Sequence, residues 1–102
     1  MKQVTASMHL GFKRANYKAP EGKLVRIALK EKNGIIESCE ISGDFFLLPE
    51  DKLTDLERSL KGIKLDELAV KRTVAQFFTK TGARGLGVTQ EDFVKALLSV
   101  KV

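Results

Sequence analysis

The sequence predicts an α+β fold: a small antiparallel sheet, made of a hairpin and an N-terminal strand, packed on three C-terminal helices. Two observations support this prediction. Up to about residue 46, apolar and polar residues alternate as they do in strands. From about residue 49 the apolar residues recur every three or four positions, as they do on one face of a helix. A strand-rich half followed by helices is typical of α+β domains.

The clearest pair of strands brackets Asn33-Gly34, a dipeptide that favours a type I′ hairpin turn because both residues tolerate positive φ. The strands are predicted at residues 24–30 and 35–41. Their predicted inner faces carry Val25, Ile27 and Leu29, and Ile35, Cys39 and Ile41. Glu37 interrupts the second inner face, which a β-bulge or an edge position would explain.

The residues before the hairpin are less regular. Weak alternation over residues 4–12 predicts an edge strand or an extended arm, and residues 17–23 are predicted to form a loop because they contain proline and glycine. We therefore expect an N-terminal arm or edge strand at residues 1–16 and one domain at residues 17–102.

Three helices are predicted in the second half. The first starts near residues 48–51 and ends at Gly62 as a left-handed cap, and the second covers residues 66–79. The third starts at Thr89, with Asp92 in the capping-box position. The glycine-rich residues 81–87 are predicted to be a loop. They follow a helix and lack the spacing of a phosphate-binding loop, so a helix-capping glycine is favoured.

Between sheet and helices stands Gly43-Asp44-Phe45-Phe46. Neighbouring side chains on a strand point to opposite faces, so Phe45 and Phe46 cannot both enter one core layer from one strand. Either the chain bends here, or one ring faces something outside the domain. Asp44 is the best isolated candidate for a working carboxylate, but a role in bonding nearby backbone N–H groups is favoured.

The net charge of +5 is unevenly distributed: the first 30 residues hold seven basic residues and one acidic residue. A surface of this kind suits nucleic acid, the phosphates of a nucleotide or an acidic protein, and it is also compatible with a plain solvated surface. Lys18 and Lys23 lie at either end of the predicted loop, where they can approach a phosphate or carboxylate.

The sequence lacks the residues that several kinds of functional site require. Cys39 and His9 are the only cysteine and histidine, which leaves no internal disulfide and no cysteine-rich metal site. No nucleophile with a paired base and no Walker-type loop is present. No apolar run is long enough to span a membrane. A single cysteine is typical of a reducing compartment, so we expect a cytoplasmic protein.

Five segments together resemble a known family. They are Gly22-Lys23-Leu24, Asn33-Gly34-Ile35-Ile36, residues 41–46 (ISGDFF), residues 53–62 and residues 87–92. The chain resembles the C-terminal accessory domain of lipoate–protein ligases over residues 17–100, and most closely the form that is a separate small chain in two-subunit ligases. GDFF followed by a helix ending in Leu60-Lys61-Gly62 is the most specific part of this resemblance.

The resemblance implies a non-catalytic accessory subunit that forms a heterodimer with a large catalytic subunit. In that family the catalytic domain makes lipoyl-AMP from lipoate, ATP and a divalent cation (Mg²⁺), then transfers the lipoyl group to a lysine of an acceptor protein. This chain alone is expected to bind no cofactor and no metal, to carry no catalytic residue, and to meet acceptor proteins indirectly. The candidate partner-facing or nucleotide-facing residues are Lys18, Lys23, Asp44, Phe45 and Phe46.

Two other functions remain as alternatives: a small basic nucleic-acid-binding module, and a general protein-interaction adaptor. The first would use the basic N-terminal third and Tyr17 for phosphate contacts and stacking. The absence of a recognised nucleic-acid-binding motif counts against it.

Overall fold

The structure is a computed structural model that describes residues 11–20 and 22–100. Its elements, in chain order, are β1 (Phe12–Lys18), β2 (Leu24–Lys32), β3 (Ile35–Gly43), β4 (Phe46–Leu48), α1 (Lys52–Leu60), α2 (Glu67–Thr81), β5 (Arg84–Leu86) and α3 (Gln90–Leu98). Strands β1, β2 and β3 form an antiparallel sheet in that order, and β4 pairs with β5 in a separate two-stranded ribbon. The α+β prediction is confirmed.

Strand β1 is the N-terminal edge strand of the sheet, and it continues past the expected boundary at residue 16. Tyr17 is paired with Val25 and Lys18 with Leu24, so both belong to the strand instead of the predicted loop. The loop is the shorter turn that follows. Ala19 closes it by donating to the Lys23 carbonyl at 2.8 Å and accepting from the Gly22 N–H at 2.8 Å. Most of the weak alternation over residues 4–12 lies outside the described residues.

The predicted exception at Glu37 is a β-bulge. Lys30 pairs with Ser38 and Glu31 with Ile36, so the register skips Glu37, which is exposed. The extra residue reverses the faces on either side of it. As a result Ile36 is fully buried, while Ile35, which the alternation placed on the inner face, is only half-buried.

Helix α1 begins at Lys52, later than predicted, because Leu48 belongs to strand β4. Leu56 and Leu60 are fully buried, as the helical spacing indicates. Gly62 has the expected positive φ of 92°. Its N–H, however, donates to the carbonyl of Ile36 at 2.7 Å, so this glycine joins the helix end to β3.

The C-terminal cap of α2 and the capping box of α3 are as predicted, whereas the N-terminal cap of α2 was not predicted. Gly82 ends α2 with φ 67°, and Asp66 begins it by accepting from the Ala69 N–H. Thr89 and Asp92 form the capping box of α3: Thr89 N–H donates to Asp92 Oδ2 at 2.9 Å, and Asp92 N–H donates to Thr89 Oγ1 at 3.2 Å. These bonds satisfy Asp92, which is the one buried charged residue in the described part of the chain.

One core joins the sheet to the helices. Its largest fully buried side chains come from β2 and β3 on one side and from all three helices on the other: Val25, Ile27, Leu29, Ile36, Leu56, Leu60, Val70, Val74, Phe93 and Leu97. The core leaves the opposite face of the three-stranded sheet uncovered by any described helix.

Candidate functional site

The chain bends sharply between β3 and β4, and hydrogen bonds between Asp44 and β2 stabilise the bend. Asp44 Oδ1 accepts from the Leu24 N–H at 2.6 Å, and the Asp44 N–H donates to the Leu24 carbonyl at 3.2 Å. These two hydrogen bonds continue the pairing of β2 with β3 for one more residue, with the Asp44 carboxylate in place of a backbone carbonyl. Asp44 therefore has the backbone-bonding role that the sequence favoured over that of a working carboxylate.

Gly43 permits the bend because no side chain fits at its position. A Cβ added there would overlap the Leu24 carbonyl oxygen and would lie 2.8 Å from Phe45 Cε2. The backbone of β2 and the ring of Phe45 therefore both approach the main chain at this glycine. That close approach turns Phe45 towards the core.

The two adjacent aromatic rings have different environments: Phe45 precedes β4, and Phe46 is its first residue. Phe45 is buried and packs edge-to-face on Phe93 with ring centroids 5.3 Å apart. Phe46 is 60% exposed. Of the two predicted partner-facing rings, only Phe46 is available at the surface, because Phe45 is committed to the core of this chain.

Phe46 is part of an apolar surface on the β4–β5 ribbon. It lies directly opposite Leu86, which is 45% exposed, and Leu48, two residues along β4, is 39% exposed on the same face. Leu47 between them is buried on the inner side. We call Phe46, Leu48 and Leu86 the ribbon patch.

One of the two predicted lysines, Lys23, lies beside this patch. Lys23 packs its aliphatic stem on Gly87, since a Cβ added at Gly87 would lie 2.7 Å from Lys23 Cγ. Gly87 directly follows Leu86 of the patch. Lys18 is exposed and pairs with Leu24, the residue after Lys23.

The structure therefore brings four of the five sequence-predicted residues to one end of the sheet. Lys18, Lys23 and Asp44 surround Leu24 through strand pairing, chain continuity and hydrogen bonding. Phe46 follows the Asp44 bend. This end is opposite the Asn33-Gly34 hairpin turn, which the nine residues of β2 separate from it.

The β5 side of this surface was not predicted from the sequence. Arg84 lies opposite Leu48, and Leu86 lies opposite Phe46. The signal in the sequence that could have indicated this strand is that Arg84 and Leu86 lie on either side of Gly85, as side chains on one face of a strand do. A three-residue strand with a glycine at its centre has weak strand propensity, so this pattern was read as loop.

The basic residues of β1 and β2 form a second surface, on the uncovered face of the three-stranded sheet. Arg26 lies opposite Ser42, and Arg14 lies opposite Ala28, two pairs further along the sheet. Both line a polar groove of about 250 Å³. Glu40 lines the same groove. The groove thus has charges of both signs, which makes it a poor track for a phosphate backbone.

Cys39 is not a candidate nucleophile. Burial, with the nearby carboxylates of Glu57 and Glu40, raises the pKa of its thiol to about 12, so the reactive thiolate does not form near neutral pH. Within residues 11–20 and 22–100, no three or more His, Cys, Asp or Glu side chains are grouped as metal ligands. No helix in these ranges is long and apolar enough to cross a membrane.

Comparison with known proteins identifies the family. The model described as "Bacterial lipoate protein ligase C-terminus" matches residues 12–97. Lipoate-protein ligase A subunit 2 of Thermoplasma acidophilum is 35% identical over 91 residues, which cover 89% of this chain and 92% of that protein. A chain in a solved structure of a bi-partite lipoate protein ligase and its E2 lipoyl domain, from the same organism, matches with a TM-score of 0.75 and 34% identity. That match covers 84% of this chain and 93% of the other. Together with the Gly43–Phe46 bend, these matches show that the chain belongs to the family of lipoate–protein ligase C-terminal domains.

Proposed function

We propose that this chain is the non-catalytic accessory subunit of a two-chain lipoate–protein ligase. With a larger catalytic chain, it supports ATP-dependent activation of lipoate to lipoyl-AMP, ahead of transfer to a lysine of a lipoyl-acceptor protein. The observation that carries the proposal is the match to a ligase subunit of nearly the same extent, of which this chain covers 92%. ATP, Mg²⁺ and lipoate belong to the catalytic chain in this proposal.

The first test of this function is assembly. Sedimentation of this chain mixed with the catalytic ligase chain of the same organism should give a one-to-one complex. If the two chains do not associate at concentrations up to about 100 μM, the proposed accessory-subunit function is wrong.

The two exposed lysines next to Leu24, Lys18 and Lys23, suggest how the chain assists the reaction. Adenylate formation develops negative charge on the phosphate that is attacked, and cations held near that charge lower the barrier. Lys23 is held by its stem on Gly87, and Lys18 lies on the neighbouring strand. In the proposed complex, these two ammonium groups face the nucleotide site of the catalytic chain or hold its closed geometry.

Replacing both lysines tests this role. We expect Lys18→Ala with Lys23→Ala to leave the complex intact and to slow adenylation about tenfold, or roughly 1.4 kcal/mol of barrier. The measurement is the rate of lipoyl-adenylate formation by the assembled complex. Lys61→Ala with Lys64→Ala is the matched control, because Lys64 bridges to Ile35 near the opposite end of the sheet. If the Lys18 and Lys23 variant assembles and adenylates like the unmodified complex, this role is wrong.

The nucleic-acid alternative predicts a different result. A phosphate-binding module would bind a random oligonucleotide with an affinity that falls steeply with salt. For an accessory subunit with Glu40 in its sheet groove, we expect no such binding at physiological ionic strength. Fluorescence anisotropy with a labelled oligonucleotide at several salt concentrations separates the two functions.

A further inference from the structure

The ribbon patch reverses the usual polarity of a two-stranded ribbon at a protein surface. Such a ribbon normally has apolar side chains inside and polar side chains outside. Here Leu47 fills the inner side, while Phe46, Leu48 and Leu86 occupy the outer side. Strands with apolar side chains on both faces are typically covered by other parts of the protein, or by a partner, on both sides. Within the described residues, only the inner face is covered.

The patch holds three of the four exposed large apolar side chains in the described part of the chain. The fourth, Leu68, is 65% exposed on α2. Isolated exposed leucines are ordinary, whereas a group that includes an aromatic ring is typical of a binding surface. A groove of about 310 Å³ lies beside Phe46, with Glu50 and Leu53 on its α1 side. A protruding ring next to a groove suits interlocking with a partner's apolar side chains.

We propose that the ribbon patch is the surface that docks the catalytic ligase chain, an inference that rests on the proposed function. Docking there brings Lys23 onto the partner as well, since its stem packs on Gly87 immediately after Leu86. Arg84, opposite Leu48, adds a second cation at the margin. The partner surface that fits is an apolar site with a carboxylate facing Arg84.

The larger groove between α2 and α3, of about 630 Å³, fits this role less well. Its charged lining residues already pair with each other along the helices. Lys71 lies 3.8 Å from Glu67, and Lys95 lies 3.7 Å from Glu91. Exposed pairs at this spacing are typical of solvated helix surfaces. This groove is lined by α2 and α3, whereas Lys18 ends β1 and Lys23 immediately precedes β2. A partner docked in the groove would therefore not contact these two lysines.

The test introduces a charge into the patch. Phe46→Asp and Leu86→Asp should each raise the Kd for the catalytic chain about 30-fold or more, because removing a central apolar anchor has effects of this size. Titration calorimetry measures the Kd. Leu68→Asp is the matched control: it places the same charge on a leucine that is 65% exposed, compared with 60% for Phe46 and 45% for Leu86. Leu68 lies about 20 Å along α2 from the end that leads into β5. We expect it to change the Kd less than twofold. Circular dichroism checks that all variants are folded.

The outcomes separate the two proposals. If the unmodified chains associate and both patch variants bind within twofold of them, the ribbon patch is not the docking surface, while the proposed function survives. If the unmodified chains do not associate, the proposed function fails and the docking proposal fails with it. If this chain instead forms a dimer of itself that Phe46→Asp disrupts, and does not bind the catalytic chain, a second copy is the occupant and the assignment of the catalytic chain is overturned.

Discussion

Gly43 is the residue on which the geometry of the candidate site depends. A Cβ at this position would overlap the Leu24 carbonyl and the Phe45 ring, so the bend depends on the absence of a side chain here. The alternation of strand side chains predicted that Phe45 and Phe46 would point apart. It did not predict which ring would be buried, because that depends on Phe93, which is distant in sequence.

Gly43→Ala should therefore destabilise the fold by about 3 kcal/mol or more, since either the main chain of β2 or the Phe45 ring must move. Urea denaturation measures the loss. Gly62→Ala is the control: Gly62 also has positive φ, but an added Cβ would meet nothing within 4 Å. We expect that change to cost only about 1 kcal/mol, the backbone cost alone. Equal losses in the two variants would contradict the close approach at Gly43.

Cys39 gives a prediction about alkaline pH. Its thiol pKa is about 12 in the folded chain and 9.0 in the unfolded reference, with desolvation as the main cause. Between these values the folded state holds a proton that the unfolded state has lost, so the free energy of unfolding falls as pH rises. Below pH 9 both states hold the proton, and the thiol makes no pH-dependent contribution.

We expect the wild-type chain to lose about 2 kcal/mol more stability than Cys39→Val between pH 8 and pH 10.5, at about 1.4 kcal/mol per pKa unit. Urea denaturation of both chains at the two pH values measures this difference. The two chains differ only at residue 39, so the contributions of all other groups cancel in this difference. Parallel losses in the two chains would show that the thiol is not shielded from solvent.

At the scale of elements, the prediction succeeded where neighbouring residues carry the information. The β2–β3 hairpin follows from the Asn33-Gly34 turn, and the caps of α2 and α3 follow from residues within one turn of each helix end. The β4–β5 ribbon was not predicted, because each strand has only three residues and each finds its partner across the intervening helices α1 and α2.

The outer edge of β3 is covered by helix α1 and by the segment that follows it, which prevents pairing with another chain. Ile36 donates to the Ile63 carbonyl at 2.9 Å, and Glu57 Oε2 of α1 accepts from the Ile41 N–H at 2.7 Å. An uncovered strand edge is a template for pairing with other chains. The Glu57 side chain takes the place of a neighbouring strand at this position.

Glu57→Ala should cost about 1 to 2 kcal/mol, because it leaves the Ile41 N–H without its charged acceptor. Chemical denaturation gives the value. Arg58→Ala is the neighbouring control: its side chain is 72% exposed in an ion pair with Asp55, so we expect a change below about 0.5 kcal/mol. A Glu57→Ala variant as stable as Arg58→Ala would mean that water replaces the carboxylate at no cost.

At the scale of the whole molecule, the candidate site occupies one end of the sheet. Folding brings Lys18, Lys23 and Asp44 together around Leu24, and Phe46 lies two residues after Asp44, at the start of β4. These four residues were predicted from the charge distribution, the glycine–carboxylate–aromatic run and the family resemblance. Leu48, Arg84 and Leu86 were not predicted, because only the ribbon pairing shows that they share a surface with Phe46.

The measurement that tests the central claim most directly is lipoyl-adenylate formation from lipoate and ATP by the catalytic ligase chain, with and without this chain. We expect the catalytic chain alone to be slow or inactive and the mixture to form the adenylate at least tenfold faster, with the rate saturating at a one-to-one ratio. A catalytic chain that is fully active alone and unaffected by this chain would contradict the account, and the family membership would then reflect a shared fold without the accessory role.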